Sequence, residues 1–194
     1  MIHMEWPHSP FWDWSLAVYG RAGVEAACLE LQHRHGLDVN LVLLCCWLGA
    51  RGVELDEGAC DRLKYLSRCW QLDVVRPLRA IRRQLKVALA HPEAAGVCAR
   101  LPDLAGALRA CVLELELDGE HIEQLALEGA VSEMTARAGP GPRLATRNLA
   151  CYWRFTDIDR GALSVLLRAV FADKGADDID AALNALPAAP PGGG

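Results

Sequence analysis

The segment Val39–Leu48 constrains the fold of this chain more than any other. Its side chains are apolar at every position except Asn40, so a helix formed here has to be covered on nearly every side. Asp38 supplies a capping oxygen at its start, and Gly52 follows its end. A membrane-spanning helix needs about 20 apolar residues, so this shorter segment is predicted to be the central helix of a packed protein.

Helical periodicity continues on both sides of this segment. Ser9 and Pro10 form a helix start, and the apolar spacing in Val24–His35 predicts an amphipathic helix. Further helices are predicted over residues 56–72, 73–89, 103–133, 144–155, 159–172 with Asp159 as its cap, and 177–186. We therefore predict an all-α fold, a compact irregular bundle of seven to nine helices around Val39–Leu48.

The segment Cys111–Gln124 has two local interpretations. Its leucines alternate with acidic residues and Asp118-Gly119 is a hairpin dipeptide, which favours a two-stranded ribbon. However, apolar residues keep helical phase from Leu104 to Ala126, a span that no strand register would preserve. A glycine inside a helix costs only about 1 kcal/mol relative to alanine. We predict one long helix over Asp103–Glu133, with either a bend or a turn at Asp118-Gly119.

Length and composition favour one domain. The chain has 194 residues, of which 52% are hydrophobic and 23% charged, as is ordinary for a packed protein. We predict a single helical domain over residues 10–186, an N-terminal extension over 1–9, and a disordered tail over 187–194, where proline and glycine dominate. The N-terminus lacks the apolar region of a signal peptide, so we expect a cytoplasmic protein without a membrane partner.

Eight cysteines raise the question of disulfides or zinc. No two have C-x-x-C spacing, and the adjacent Cys45 and Cys46 would point to different faces of a helix. Most lie among Leu, Val and Ala at helical positions, where a free thiol behaves as a small hydrophobic group. We therefore predict free, buried thiols rather than a disulfide framework or a metal site.

Two carboxylate–histidine pairs have the E-x-x-H spacing that places metal ligands on one helical face. They are Glu30 with His33, and Asp118 with His121. A di-metal site would need further inward carboxylates, and the apolar helix Val39–Leu48 supplies none. His33 also falls on the polar side of its helix. We expect no metal and no other cofactor, and because no catalytic motif is present we expect a protein without catalytic residues.

The strongest candidate site is the positively charged side of the helix predicted over 73–89, in which Pro77 has to lie in the first turn or at a kink. We call it the arginine face, and its members are Arg76, Arg79, Arg82, Arg83 and Lys86. Guanidinium groups at this spacing can bind carboxylates or phosphates. The alternatives are a solvated face or pairing with the acidic helix Asp103–Glu133.

The aromatic residues and two leucines offer weaker candidates. The six tryptophans are predicted to be mostly core residues, although they could line a ligand pocket. Leu113 and Leu117 lie opposite the main apolar stripe of their helix. We expect C-terminal helices to cover them, the alternative being an exposed partner site.

The first ninety residues carry a pattern that resembles a known family. It consists of Phe11-Trp12-x-Trp14-Ser15, Tyr19, Gly23-Val24, Cys28-Leu29-x-Leu31-Gln32, Gly36-x-Asp38-Val39-Asn40, Leu43-Leu44, Trp47, Trp70 and Val74-Val75-x-Pro77-Leu78-Arg79. The chain resembles an uncharacterised proteobacterial family catalogued as a domain of unknown function. The resemblance implies an all-helical bacterial protein and brings no activity, ligand or catalytic residue.

These observations favour a cytosolic interaction or adaptor protein that uses the arginine face to recognise an acidic protein surface. Two other classes stay open. The same face could bind nucleic acid or a phosphate ligand, although the net charge of -5 gives no overall attraction to either. The tryptophan-lined interior could hold a small molecule, as a binder or an enzyme.

Overall fold

A computed structural model describes residues 5–91, 96–136, 138–155 and 159–186. All regular secondary structure in these ranges is helical. The helices are α1 Pro10–Tyr19, α2 Val24–His35, α3 Val39–Ala50, α4 Glu57–Trp70, α5 Arg76–Ala90, α6 Val97–Arg100, α7 Pro102–Val131, α8 Pro142–Tyr152, α9 Arg160–Val170 and α10 Ala176–Asn184. A π-helical segment, Gln71–Val75, joins α4 to α5 without a break, so the described ranges contain nine helical segments. The predicted all-α class is confirmed, and the tail 187–194 lies outside the described residues.

Close contacts group the residues into two units. The first unit is formed by Met1–Tyr65 and Leu125–Gly194, and the second by Leu66–Gln124. Within its described residues, the first unit holds α1, α2, α3, α8, α9 and α10, with the beginning of α4 and the end of α7. The second unit holds the π-helical segment, α5, α6 and most of α7. The single domain over 10–186 stays a prediction.

The centre of the first unit is α3, as its composition predicts. Its residues from Asn40 to Gly49 are buried. Its main neighbour is α8, and the two backbones touch, because a Cβ added to Gly49 would lie 2.5 Å from backbone atoms of Ala145. A backbone hydrogen bond from Gly141 to the carbonyl oxygen of Gly49 (3.1 Å) holds the start of α8 against the end of α3.

Two of the predicted helix caps are confirmed. The Ser9 hydroxyl accepts a hydrogen bond from the backbone N–H of Trp12 at the start of α1 (3.1 Å). The Asp38 carboxylate accepts one from the N–H of Asn40 at the start of α3 (2.9 Å). Asp159 precedes α9, but its side chain makes no capping hydrogen bond, so that prediction is wrong.

The segment around Pro77 is continuous helix rather than two separate helices. Pro77 lies in the first turn of α5, as predicted, directly after the π-helical segment. Proline has no N–H to donate and its ring crowds the preceding turn, and a wider π turn relieves both problems without ending the helix. Helical periodicity alone predicts a boundary here, because it contains no signal for a π turn.

The long helix predicted over Asp103–Glu133 is present as α7, and it passes through Gly119. The ribbon interpretation is therefore wrong. An added Cβ on Gly119 would meet the nearest side-chain atoms, of Val75 and Val74, at 3.5 and 3.7 Å, which is ordinary contact. Helical phase across the Asp118-Gly119 pair was the better guide.

Candidate functional site

The second unit is built around an antiparallel hairpin of α5 and the Pro102–Gln124 part of α7, which we call the hairpin. Gln71, just before α5, donates to Glu123 (2.7 Å), and Trp70 donates its indole N–H to the carbonyl oxygen of Gly119 (2.8 Å). Further along α5, Arg82 bonds to Glu116. Since residue numbers rise on one helix as they fall on the other, the helices run in opposite directions.

Two members of the arginine face lie inside this hairpin. Arg79 donates to Glu116 (2.8 Å) and to Glu120 (2.5 Å), and Arg82 donates to both carboxylate oxygens of Glu116. Burial alone would raise the pKa of Glu116, but the hydrogen bonds and positive charges of Arg82 and Arg79 outweigh it and lower that pKa. The carboxylate is therefore held ionised between two guanidinium groups.

The expectation that the whole arginine face lies towards water is wrong for Arg79 and Arg82. Both lie on the side of α5 that faces α7, where they form ion pairs with Glu116 and Glu120. For these two residues the alternative of pairing with the acidic helix is the correct one. The other three members are exposed and make no ion pair within the described ranges. We call Arg76, Arg83 and Lys86 the cation trio.

The leucines beside the cation trio are exposed. The exposed fractions of Leu113 and Leu117 are 38% and 48%, so the expectation that later helices cover them is wrong. Counted at about 100° per residue from Glu116, both lie on the flank of α7 that adjoins the cation trio in an antiparallel pair. Positive charge and apolar surface therefore share one side of the hairpin.

The opposite side of the hairpin is apolar and also exposed. The main stripe of α7 was expected to be buried, but Leu104 is 66% exposed and Leu108 is 53% exposed, and Leu115 and Ile81 are exposed beside them. Two long helices can cover only the sides that face each other. No residue of α5 is buried as a result.

In the first unit, a cleft of about 690 Å³ opens between the end of α2 and the end of α8. It is lined by His35, Gly36, Leu37, Glu57, Lys64, Ala150, Cys151, Tyr152, Trp153 and Arg154. The His35 ring packs against Trp153 with 5.7 Å between ring centroids. The cleft thus combines aromatic surface with three basic side chains and one carboxylate.

Asp159 explains why the His35 side chain is fixed. Its carboxylate is fully buried and accepts hydrogen bonds from His35 Nε2 (2.7 Å) and from Arg34 (3.0 Å). The bond to Asp159 raises the pKa of Arg34. These interactions direct the Asp159 side chain away from the first turn of α9, which is the physical reason that it does not act as a cap.

The tryptophans are less buried than predicted. Among those in the described ranges only Trp47 is fully buried, between the Phe11 ring (5.2 Å) and the Arg51 guanidinium (4.6 Å). Trp70 is half-buried, and Trp153 is 38% exposed at the cleft. The expectation that the tryptophans are mostly core residues is wrong, and leucine, valine and cysteine fill most of the interior.

The carboxylate–histidine pairs do not assemble into a site. Glu30 forms an ion pair with Arg34 on the next turn of α2, and His33 is exposed. Within the part of the chain that the structure describes, no group of three or more His, Cys, Asp or Glu side chains could hold a metal ion.

One buried polar residue was missed from the sequence. Asn148 on α8 is fully buried, accepts a hydrogen bond from the N–H of Leu55 (2.9 Å), and donates to the carbonyl oxygens of Val53 (3.0 Å) and Cys45 (3.3 Å). It ties the loop after α3 to α8. One signal in the sequence could have revealed it, because Asn148 falls among the apolar positions of the helix predicted over 144–155.

The described helices include none that is both long and apolar enough to cross a bilayer. They define an all-α protein with one charged, leucine-flanked hairpin and one polar cleft. The chain belongs to the family described as "Protein of unknown function (DUF2390)", whose model matches residues 10–127. That match confirms the resemblance to an uncharacterised domain of unknown function, and the proteobacterial origin stays a prediction. No curated protein and no solved structure matches the chain.

Proposed function

We propose that this chain is a non-catalytic interaction protein of the bacterial cytoplasm that uses the hairpin to bind an acidic surface of another protein. One observation carries the proposal: the cation trio is exposed without an ion pair in the described ranges, while Arg79 and Arg82 pair with Glu116 and Glu120 of α7. Arg79 and Arg82 are held in ion pairs within the hairpin, so the positive charges that a partner can contact are those of the cation trio.

The adjacent apolar residues favour a protein partner. Leu113 and Leu117 lie beside the cation trio. A partner helix with acidic and apolar residues on one face would pair its carboxylates with the cations and pack its apolar side chains against the leucines. Arginine contacts to carboxylates at an interface contribute both specificity and association rate. A partner of this kind is an amphipathic acidic helix.

A nucleic acid fits this surface less well. Three cations give a weak phosphate contact and a shallow salt dependence, and exposed leucines have no role against a phosphate backbone. Binding that disappears with nuclease and falls steeply with salt would favour nucleic acid instead.

The experiment is to replace Leu113 or Leu117 with a photo-crosslinking amino acid in the full chain, identify the protein that is captured, and repeat the binding with that protein purified. We expect reversal of Arg76, Arg83 and Lys86 to glutamate to weaken binding at least tenfold. The control reverses Arg68 and Arg100, two exposed arginines outside α5, and should leave affinity unchanged. Equal affinity of the cation-trio variant and this control would refute the proposal.

The cleft supports a second candidate function, the binding of a small anionic molecule. Its lining brings Lys64, Arg154 and His35 close to the exposed ring of Trp153. This combination suits an aromatic carboxylate, whose ring would stack while its charge is paired. A panel of aromatic carboxylates should raise the melting temperature of the wild type and not that of Trp153→Ala.

A further inference from the structure

The first unit contains a pair of thiols at the cleft that neither proposed function uses. Cys151 on α8 lines the cleft, and Cys60 on α4 is buried beside it. Both residues contact one atom, the carbonyl oxygen of Asp56, which accepts from the Cys60 backbone N–H (2.9 Å) and from the Cys151 thiol (3.7 Å). Cys151 is also among the causes that raise the pKa of Cys60.

We propose that Cys60 and Cys151 are a redox modification site, and that a peroxide entering the cleft converts them to a reversible disulfide. A disulfide forms only where two cysteines already lie side by side, because the bridge tolerates little separation. The contact with the Asp56 carbonyl places the Cys151 thiol against the turn of α4 that carries Cys60, and Cys151 lines the open cleft. The product would link α4 covalently to α8.

The reaction takes place in two balanced steps. The Cys151 sulfur attacks hydrogen peroxide, so a sulfur–oxygen bond forms, the oxygen–oxygen bond breaks, and the departing hydroxide takes up a proton as water. The Cys60 sulfur then attacks the resulting sulfenic acid, and the sulfur–sulfur bond forms as the sulfur–oxygen bond breaks. The hydroxide that leaves takes the Cys60 proton and becomes a second water. Both sulfurs are oxidised and the peroxide is reduced.

The surroundings assign the order of the two cysteines. Cys60 is 2% exposed, and burial together with the hydrogen bond to Cys151 raises the pKa of Cys60 to about 12, so it remains a thiol at neutral pH. Cys151 is the thiol that lines the cleft and meets the oxidant first. The nearby positive charge of Lys64 acts against the raised pKa of Cys60 and favours its thiolate.

The other cysteines differ in ways that supply controls. Cys28 and Cys46 are buried, and burial raises the pKa of both. Cys69 and Cys111 are exposed in the second unit and can be removed without touching the cleft. Cys45 is a competitor, since its fully buried thiol lies close enough to interact with Cys60 and Cys151.

The test uses the full chain with Cys69→Ser and Cys111→Ser. After treatment with stoichiometric hydrogen peroxide, the denatured and alkylated protein should carry two fewer alkyl groups than untreated protein alkylated in the same way. Peptide mapping should show a Cys60–Cys151 link that dithiothreitol removes. Disulfide formation should accelerate by up to about tenfold per pH unit from pH 7, because the second step requires the Cys60 thiolate.

Single variants distinguish the two steps. Cys60→Ser should accumulate a Cys151 sulfenic acid that dimedone traps, whereas Cys151→Ser should give neither adduct nor disulfide. The Cys60–Cys151 link is measured in the chain with Cys69→Ser and Cys111→Ser, in which both cleft cysteines are present. A folding defect in Cys60→Ser or Cys151→Ser therefore does not block the test. A link from Cys151 to Cys45, or eight alkylatable thiols in the peroxide-treated natural chain, would overturn the proposal.

Discussion

Replacement of Asn148 by alanine tests how α8 is held against α3 and the loop that follows it. The side chain is fully buried and makes three hydrogen bonds, to Leu55, Val53 and Cys45. Alanine would leave these backbone groups without that partner in a site closed to solvent. It would also leave a cavity of a few atoms between two helices.

The expected loss can be estimated group by group. A buried backbone N–H or carbonyl left without a partner costs about 1–3 kcal/mol, and the N–H of Leu55 should lie at the upper end because its acceptor is the Asn148 side chain in a buried site. The Cys45 carbonyl lies within α3 and keeps its place in that helix, so losing the hydrogen bond from Asn148 should cost little at this carbonyl. We expect Asn148→Ala to reduce the free energy of unfolding by about 3–5 kcal/mol.

The assay is urea unfolding of the full chain followed by circular dichroism, with the slope checked against that of the wild type. The matched control is Asn184→Ala, since Asn184 is exposed and only accepts a hydrogen bond from an exposed arginine. That variant should change stability by less than about 1 kcal/mol. A loss for Asn148→Ala no larger than that of the control would refute the argument.

Three further predictions follow from the packing and the charges. Gly49→Ala should destabilise by about 3 kcal/mol in urea unfolding, because its Cβ would lie 2.5 Å from the backbone of Ala145. Gly119→Ala should instead stabilise α7 by about 0.5–1 kcal/mol, since the added Cβ would meet Val75 and Val74 only at ordinary contact distances of 3.5 and 3.7 Å and glycine is a poor helix former; a clear loss would contradict a continuous helix. The pKa of Glu116 is lowered in the folded state. The contribution of its carboxylate to the free energy of unfolding should therefore be complete above pH about 5, and it should be lost as the pH falls through the pKa that Glu116 has in the folded protein. The stability gap between wild type and Glu116→Gln should therefore shrink in acid, and a gap that is constant from pH 3 to pH 7 would contradict the ion pairs.

Local sequence signals predicted much of this fold. The apolar composition of α3, the capping side chains of Ser9 and Asp38, and the helical phase of α7 across Gly119 are each properties of one continuous segment of chain. Each is a short-range physical preference that a sequence displays directly. The all-α class follows from those preferences without knowledge of tertiary contacts.

The candidate sites were harder to predict, since their partners are distant in sequence. The His35–Asp159 bond joins residues 124 positions apart, and the hydrogen bond from Leu55 to Asn148 spans 93 positions. A polar residue on an apolar phase can be recognised as unusual, but the sequence does not say which distant group satisfies it. Asp159 is the instructive case, because the capping signal was present and a stronger buried pairing overrode it.

The division of the arginine face follows from geometry that helical periodicity leaves open. Five cations at this spacing cover a broad arc of α5, and a neighbouring helix can bury only part of such an arc. The antiparallel course of α7 places Glu116 and Glu120 opposite one edge of the arc, so Arg79 and Arg82 are taken into ion pairs and help to set the register of the hairpin. Arg76 and Arg83 lie at the other edge, and Lys86, one turn beyond Arg82, makes no ion pair within the described ranges. The inner edge of this charge pattern therefore stabilises the hairpin, while Arg76 and Arg83 at its outer edge remain exposed.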